Sequence, residues 1–573
     1  MEILSSAGKM YLIFIVLFAV VFGVVPGISI LIMQETVNTL QAGNQTLNYI
    51  LMLIAIYVTM DVLSGIFGLL SGYIESKLQM KAAVTLNLTV LEKVKELSLK
   101  DFENSETYNL IQRAKNTNIS HLFSFFKSFV LVFQSIINLL MFSAILLAWR
   151  WWLVPIIFVM PIISTFVTAY FGKMQFLIQR NRAGKERKRW YYQFLLSNDV
   201  AFKEIKIFNL GDYFREKYRQ LSIEFLKQDK AVLNKRTGAQ SVLMLFDHAI
   251  SAVLFVYVIT RAFFGAILLG DMITYTRSIS NVKSSTQGVL AQINSIYQNT
   301  LVISQYFDFI DMKSETDEPA GLMLLKDIPF IEIKNLSYRY KNKNEYALKN
   351  INLKIEKGKL VALLGKNGSG KTTLVKILST LYNDYTGDVY FGNMNLREVN
   401  PQDVRNKIGL LFQDFVKYEL TARENIAFGQ LEKIDDNRAV YGALSETGMQ
   451  NKITDLEMPL GFWFDGGTQL SGGEWLKVAL SRAFIRDAEF YLLDEPNSAL
   501  DPVSERQILK SFKELCKGKT GIIISHRIAS IKDVADEIIV FDKGIVQAAG
   551  KHEELLVCSD SYCEMYNSEE GIE

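Results

Sequence analysis

The chain has 573 residues, of which 49% are hydrophobic and 21% are charged, and its net charge is +2. This length exceeds one ordinary domain, and high hydrophobicity together with an ordinary charge content favours a membrane part joined to a soluble part over one large globule. The nearly balanced charge excludes a strongly basic protein, so we expect no nucleic-acid partner.

Five apolar segments in the first half are each long enough to cross about 30 Å of hydrocarbon at about 1.5 Å per helical residue. They cover residues 10–33, 49–73, 122–148, 152–171 and 242–264. Since only nine residues precede the first segment and no cysteine occurs before Cys516, we expect no cysteine-protease domain on this chain.

The charges of the connecting loops indicate the orientation of these segments. Loop 34–48 has no Lys or Arg, whereas 74–120 has seven and 172–240 has sixteen. Positively charged loops stay in the cytoplasm, which places the N-terminus there too. We expect the basic stretches to continue the membrane helices into the cytosol. Five crossings from a cytoplasmic N-terminus would place the second half of the chain outside the cell. The ligand of the motifs described below is absent there, so a sixth crossing is required.

Residues 266–303 are the remaining candidate for this sixth crossing. They include Arg277, Asn281, Ser284 and Gln287 at helical spacing on one side. A helix this polar cannot face lipid along its length, so we expect the stripe to line a water-filled pathway; a helix buried against its neighbours is the alternative. Asp61, near the bilayer midplane in the second segment, is either functional or paired with Arg277.

A polar segment with Pro and Gly at 313–329 indicates a linker. We therefore expect a transmembrane domain over 1–312 and a second domain over 330–573. In the second domain, β-rich runs at 330–338, 359–364, 490–493, 520–524 and 537–541 alternate with helical patterns. This alternation is typical of an α/β domain with a largely parallel sheet.

A phosphate-binding loop follows the second of these strands and precedes a helical segment. Its glycines let backbone N–H groups approach phosphate oxygens, and the helix N-terminus favours an anion. We expect Lys371 to reach the β- and γ-phosphates and Thr372 to bind Mg²⁺. The predicted nucleotide-binding residues of this loop are Gly365, Asn367, Gly368, Ser369, Gly370, Lys371, Thr372 and Thr373.

Two carboxylates end the apolar strand at 490–493. We expect Asp494 to hold Mg²⁺ through water and Glu495 to polarise the attacking water, because phosphoryl transfer needs chiefly positioning and charge stabilisation. A strand that merely ends in exposed acids is the alternative.

Residues 470–474, Leu-Ser-Gly-Gly-Glu, resemble the signature motif of ABC ATPases, with Glu474 where that family usually has glutamine. The resemblance implies ATP and Mg²⁺ as cofactors and a part for Ser471, Gly472 and Gly473 in binding ATP. It further implies that adenine stacks on Tyr340, although Lys341 and Asn342 replace the Pro-Gly that usually follows this aromatic residue. It also implies a Mg²⁺-sensing lid at Gln413, a D-loop at 498–501 that contains Asp501, and a γ-phosphate switch at His526. The catalytic residues implied in this way are Lys371, Gln413, Glu495 and His526.

In the family that the chain resembles, the signature of one subunit completes the ATP site of the other, which implies a dimer. The resemblance extends to the membrane half, where 102–108 and 201–213 are similar to the two coupling helices of type IV exporters. The segment 465–467, Asp-Gly-Gly, departs from the Glu-Arg-Gly-like sequence usual there. Within the family, the chain most resembles bacterial peptide exporters of the lantibiotic or bacteriocin type.

The fold class that we predict is a membrane all-α domain of six transmembrane helices followed by an α/β P-loop ABC ATPase domain. The predicted function is ATP-driven export, as a homodimer in the bacterial cell membrane with a cytoplasmic ATPase domain, and a peptide is the expected cargo. A lipid flippase or multidrug exporter of the same architecture is the first alternative. A nucleotide-gated regulator or channel is an alternative of another class, and a heterodimer stays open.

Overall fold

A computed structural model describes residues 2–43, 45–104, 107, 110–111, 114, 119–199, 201–312, 323–325, 327–341, 343–496 and 500–570. The chain forms two compact units, 1–96 with 105–312, and 97–104 with 313–573. The short segment 97–104 therefore belongs to the second unit, although it lies within the predicted transmembrane domain.

The described residues of the first half form six long helices and two short ones. In chain order these helices are α1 (Glu2–Ala42), α2 (Leu47–Glu96), α3 (Leu99–Glu103), α4 (Ile119–Trp149), α5 (Leu153–Ser197), α6 (Phe202–Ile207), α7 (Gly211–Phe263) and α8 (Leu269–Ile310). Helix α3 belongs to the second unit. Part of the predicted coupling segment 102–108 lies outside the described residues, and α6 falls inside the predicted segment 201–213.

The predicted apolar segments coincide with helices. Five helices are long and apolar enough to cross a membrane, namely α1, α2, α4, α5 and α7. Three of them have 45 to 53 residues, so they continue well past the apolar stretch, as the basic loops predicted. The predicted sixth crossing is one continuous helix of 42 residues, α8, whose polar side chains keep it out of the apolar class.

The polar residues of α8 lie on two different faces. Arg277, Ser284 and Gln287 are exposed and Asn281 is partly exposed, so the predicted stripe is not buried against neighbouring helices of this chain. On another face, Lys283 forms an ion pair with Asp247 of α7 and donates a hydrogen bond of 3.1 Å to the Ser251 hydroxyl.

The predicted alternative of an ion pair between Asp61 and Arg277 is wrong. Both residues are exposed, and no ion pair joins them in the part of the chain that the structure describes. Asp61 lies on α2, whose apolar stretch is only 6% buried inside this chain, so its carboxylate faces away from the packed helices.

The second unit contains two sheets. The strands are β1 (Phe330–Tyr338), β2 (Leu348–Glu356), β3 (Leu360–Leu364), β4 (Thr386–Phe391), β5 (Met394–Asn395), β6 (Ile408–Leu411), β7 (Phe490–Asp494), β8 (Thr520–Ser525), β9 (Glu537–Asp542) and β10 (Ile545–Gly550). The main sheet has the order β10-β9-β3-β8-β7-β6 and is parallel except for β10. The strand predicted at 330–338 is β1, but it lies in a separate antiparallel sheet, β2-β1-β4-β5.

Nine further α-helices occur in the described part of the second unit. They are α9 (Lys371–Leu378), α10 (Pro401–Asn406), α11 (Ala422–Ala427), α12 (Asn437–Glu446), α13 (Gly472–Phe484), α14 (Pro502–Leu515), α15 (Ile528–Ile531), α16 (His552–Cys558) and α17 (Asp560–Glu570).

The hydrophobic core of the second unit extends into the predicted linker. Most of segment 313–329 lies outside the described residues. Near its end, Leu325 and Ile328 are buried in the core between the two sheets, and the Ile328 N–H donates to Glu489 over 2.9 Å. The last residues of this segment are therefore held by the second unit.

Candidate nucleotide-binding site

The loop between β3 and α9 makes a tight turn that depends on glycine. Gly370 has φ +105°, and a Cβ atom there would lie 2.5 Å from the Ala347 carbonyl oxygen. At Gly365, with φ +154°, a Cβ would lie 2.2 Å from the Phe541 carbonyl oxygen. Because a larger residue fits neither position, these glycines fix the loop in a shape whose backbone N–H groups and helix N-terminus can hold an anion.

A cleft of about 480 Å³ opens over this loop. The predicted residues that line it are Tyr340, Asn367, Gly368, Ser369, Gly370, Lys371, Thr372, Thr373, Gln413 and Glu495. Sequence reasoning missed Lys343, Glu345 and Tyr346, which also line it. They follow Tyr340 in the chain, but no motif marks them, because the Pro-Gly that usually follows the aromatic residue is absent.

The ammonium group of Lys371 is buried in this cleft. Its Nζ donates to the carbonyl oxygens of Gly365 over 2.7 Å and Lys366 over 3.1 Å. Burial lowers the pKa of Lys371, while the charges of Glu495 and Asp494 oppose that shift. The ammonium group of Lys371 thus forms its hydrogen bonds within its own loop. A bound phosphate would replace these carbonyl acceptors with a charged acceptor.

Asp494 ends β7 and is only 1% exposed. Burial raises its pKa to about 6, although a hydrogen bond from Thr372 acts in the opposite direction. Its Oδ2 atom is buried and has no hydrogen-bond partner among the described residues. A buried carboxylate oxygen without a partner, next to a threonine hydroxyl, is a donor set that suits Mg²⁺. The residues present therefore fit this cation.

Glu495, Gln413 and His526 meet beside Asp494. The Gln413 Nε2 donates to Glu495 Oε2 over 2.8 Å, and His526 Nδ1 lies 3.7 Å from Glu495 Oε1. Glu495 has φ +50°, a left-handed conformation uncommon for a residue with a side chain, and its N–H donates to the Ile524 carbonyl over 3.1 Å. Such strain is typical of functional sites, where the surroundings hold the residue in place.

The signature segment begins helix α13. Ser471 is its N-cap and forms a capping box with Glu474, whose carboxylate accepts the Ser471 N–H over 2.8 Å. This hydrogen bond lowers the pKa of Glu474, and Lys452 pairs with the same carboxylate at 3.4 Å. Glutamate at this position therefore folds the helix end as a glutamine would, and Lys452 offsets its charge.

Five predicted ATP-binding residues do not line the cleft of their own chain: Gly365, which begins the loop, and Ser471, Gly472, Gly473 and Asp501. Asp501 is exposed and caps α14, accepting the N–H groups of Val503 and Ser504 over 3.1 and 3.0 Å. Ser498 and Ala499 of the predicted D-loop lie outside the described residues.

Two known protein families match this chain. A family described as "ABC transporter" matches residues 348–498, and "ABC transporter transmembrane region" matches residues 12–282. The chain belongs to the ABC transporter family. The predicted resemblance is therefore confirmed, and so is the order of a helical transmembrane domain followed by an α/β ABC ATPase domain.

Similar transporters are known along the full length. The subtilin transport ATP-binding protein SpaT of Bacillus subtilis is 36% identical over 96% of this chain and 90% of its own length. The nisin transport ATP-binding protein NisT of Lactococcus lactis subsp. lactis is 33% identical over 100% and 95%. An ATP-dependent lipid A-core flippase of Aromatoleum aromaticum is 26% identical over 88% and 82%.

A solved structure has the same fold. It is a bacterial Atm1-family ABC exporter with ATP bound, with a TM-score of 0.77 and 18% identity over 97% of both chains. Together, these findings make this ABC transporter an ATP-hydrolysing, membrane-embedded exporter of the half-transporter type.

Proposed function

We propose that this ABC transporter exports a peptide of the lantibiotic class, as a homodimer, with its ATPase domain in the cytoplasm. The observation that supports the cargo class is the full-length similarity to SpaT and NisT, whose names assign them to subtilin and nisin transport. The similarity to lipid A-core flippases is lower in identity and covers less of the chain.

The geometry of the cleft supports specific roles in hydrolysis. Lys371 would leave the carbonyl groups of its own loop to bind the β- and γ-phosphates of ATP. Thr372 and Asp494 would hold Mg²⁺, with Gln413 beside them, and the cation would neutralise charge that develops on the phosphates. The residues Asn367, Gly368, Ser369, Gly370 and Thr373 would complete the phosphate cradle.

We infer that Glu495 acts on the attacking water. Its carboxylate is 10% exposed, and Gln413 orients it through a 2.8 Å hydrogen bond. His526, whose Nδ1 lies 3.7 Å from Glu495 Oε1, would contact the γ-phosphate from the same side. An intact set of this kind argues against a regulator that binds nucleotide without hydrolysing it, because such a regulator has no need of a water-activating carboxylate.

Two features support a second copy of the chain as partner. Ser471, Gly472 and Gly473 present the N-terminal end of α13, which favours an anion, yet they do not line the cleft of their own chain. In the first unit, large apolar side chains at and beside α6 are exposed, with Phe202 at 54%, Ile207 at 76% and Phe208 at 65%. Exposed apolar clusters of this kind are typical of protein interfaces.

The exposed stripe of α8 supports a polar route for cargo. Arg277, Ser284 and Gln287 cannot face lipid without a large free-energy cost, so we infer that they face water and cargo between the two copies. Lys283 is neutralised by its ion pair with Asp247, so Arg277 would supply the positive charge of this route.

Stimulated ATPase activity tests the cargo class. Purified transporter in liposomes should hydrolyse ATP faster when a lantibiotic precursor peptide is added than when a lipid or a hydrophobic drug is added. The Lys371→Ala variant is the control and should show no stimulated rate. Stimulation by lipids or drugs with none by any peptide would favour the flippase or multidrug alternative.

A further inference from the structure

Helix α15 begins two residues after the predicted switch residue His526, and its N-terminal end is capped by another helix. The Glu569 carboxylate of α17 accepts the N–H groups of Ile528 and Ala529 over 2.6 and 3.2 Å. These are the first two residues of α15, and N–H groups at this position have no acceptor inside their own helix. The usual capping group is the side chain of the N-cap residue. In the described structure the N-cap Arg527 makes no such bond, so Glu569 supplies the cap instead.

Helix α17 is itself held firmly in the fold. Its Tyr562 is fully buried, and the Tyr562 hydroxyl lies 2.7 Å from His552 Nδ1 of α16. Tyr566 of α17 contacts Lys532, the C-cap of α15, with 5.3 Å between the Lys532 Nζ and the ring centroid. Tyr566 and Glu569 are three residues apart and therefore share a face of α17. Both ends of α15 are thus held by the same face of one helix.

The backbone on both sides of His526 is fixed by named contacts. Before it, Ser525 ends strand β8, and its hydroxyl accepts the Arg527 N–H over 2.9 Å. After it, the Arg527 side chain pairs with the buried Glu505 at 3.1 Å, and the cap from Glu569 follows. The His526 side chain is 44% exposed. The position of its ring therefore depends chiefly on the backbone that carries it.

We propose that Glu569 is a positioning residue for ATP hydrolysis, which sets the place of His526 at the γ-phosphate by capping α15. The inference rests on the proposed function in one respect, that His526 contacts the γ-phosphate. Without the cap, the first turn of α15 opens and the ring of His526 moves with its backbone. Because ADP lacks the γ-phosphate, the resulting defect should concern ATP and spare ADP. A cap that only stabilised the fold would affect both nucleotides alike.

The affinities of the full-length protein for ATP and ADP, each with Mg²⁺, test the proposal. All variants carry Glu495→Gln, which prevents turnover during the measurement. Affinity is measured in lipid nanodiscs by displacement of a fluorescent trinitrophenyl nucleotide, and the thermal midpoint is recorded for every variant. Glu564→Ala is the matched control, because it removes the same side chain from an exposed position of the same helix.

We expect Glu569→Ala to weaken ATP binding about tenfold, within the range of a lost helix cap, and to leave ADP binding unchanged. Glu569→Gln keeps a neutral acceptor, which forms weaker hydrogen bonds than a carboxylate, so its loss should be about threefold and equally selective. His526→Ala should show the same selective loss of ATP affinity. The double variant His526→Ala with Glu569→Ala should lose no more than His526→Ala alone, because the cap acts through that ring.

With Glu495 restored, Glu569→Ala should lower kcat, because a displaced group near the reacting atoms slows the chemical step. The Glu564→Ala control should keep the normal kcat and the normal affinities. If Glu569→Ala does not fold, Glu569→Gln carries the same comparison with its smaller expected loss.

The possible failures are distinguishable. If removal of the Glu569 carboxylate weakens ATP and ADP binding equally, or weakens neither, Glu569 does not position His526 and the proposal is wrong. A further tenfold loss in the His526→Ala background would show that Glu569 acts by another route, which also contradicts it. If His526→Ala itself leaves the preference for ATP over ADP unchanged, the premise that His526 contacts the γ-phosphate is wrong, and the proposal falls with it. None of these results bears on the class of cargo.

Discussion

Gln413 Nε2 donates a hydrogen bond of 2.8 Å to Glu495 Oε2. The two residues follow β6 and β7, which are neighbouring parallel strands, so their side chains meet at the same edge of the main sheet. Ligands of open α/β sheets bind at the carboxyl ends of the strands. Gln413, which lines the cleft, is therefore hydrogen-bonded to the carboxylate that we expect to act on water. A substitution at either residue removes or alters a hydrogen bond of the other.

Glu495→Gln should bind ATP and nearly lose turnover. The substitution keeps the shape of the side chain and its contact with Gln413 but removes the charge that orients water, and general-base contributions are typically about 10²–10⁴-fold in rate. Steady-state ATPase and ATP retention by the purified dimer are the measurements. Glu514→Gln, which removes an exposed carboxylate paired with Lys517, should keep the normal rate. Appreciable hydrolysis by Glu495→Gln would show that another group activates water.

The raised pKa of Asp494 predicts a pH dependence of cation binding. Its pKa of about 6 lies above the ordinary 3.8, so the ligand-free protein binds a proton as the pH falls through 6. A cation needs the ionised form and must displace that proton, which weakens apparent affinity about tenfold for each pH unit below 6. Titration calorimetry of Mg²⁺-ATP in buffers of different ionisation enthalpy measures the released proton.

The Asp494→Asn variant distinguishes the proton that Asp494 releases from the protons that ATP itself releases. It should bind Mg²⁺-ATP weakly and release fewer protons than the unmodified chain at pH 5.5. Asp533→Asn, at an exposed position, is the control. Equal proton release by the Asp494→Asn variant and the unmodified chain would show that Asp494 is already ionised without the cation.

Mixed dimers test whether the signature acts across the two copies. One copy carries Lys371→Ala and the other carries Ser471→Arg, and different affinity tags allow purification of the mixed species. If sites form across copies, the mixed dimer contains one site with both defects and one complete site, so it should hydrolyse ATP in a single turnover although neither homodimer does. An inactive mixed dimer, with nucleotide binding intact at the unaltered loop, would mean that each copy uses its own signature.

The Lys283–Asp247 pair should behave as one unit in stability. Each side chain is about one-fifth exposed, and both lie on helices expected to cross the membrane. Removing one partner leaves the other charge without compensation, which costs more than removing both. We expect Lys283→Met and Asp247→Leu each to lower the thermal midpoint in detergent, and the double variant to recover most of the loss. Additive losses in the double variant would contradict this coupling.

The sequence was sufficient for the phosphate loop and the strands around it, because glycine spacing and apolar runs act locally. It was insufficient where distant segments meet. The loop carrying Lys343, Glu345 and Tyr346 has no motif of its own, so its place in the cleft depends on how β1 and β2 pair. The assignment of β1 to an antiparallel sheet is likewise a matter of pairing, which the pattern of one strand does not contain.

In the membrane half, periodicity identified the faces of helices but not their partners. The stripe of Arg277, Ser284 and Gln287 is exposed as predicted, since residues at helical spacing share a face. Opposite charges alone allowed an ion pair between Asp61 and Arg277. The packing of α7 on α8 instead brings Asp247 and Lys283 together as an ion pair. Helix α3 was expected to stay with the membrane domain, and only its contacts with Tyr382 and Asp384 place it elsewhere.

Transport of peptide into sealed vesicles tests the central claim most directly. Purified transporter is reconstituted in liposomes, and a lantibiotic precursor peptide, with or without its leader, is added with ATP and Mg²⁺ on the side of the ATPase domain. We predict that at least one form accumulates intact in the lumen, that accumulation requires ATP, and that the Glu495→Gln variant does not support it. If neither form accumulates while lipids or hydrophobic drugs stimulate ATP hydrolysis and are moved by the same preparation, peptide export is not the function of this transporter.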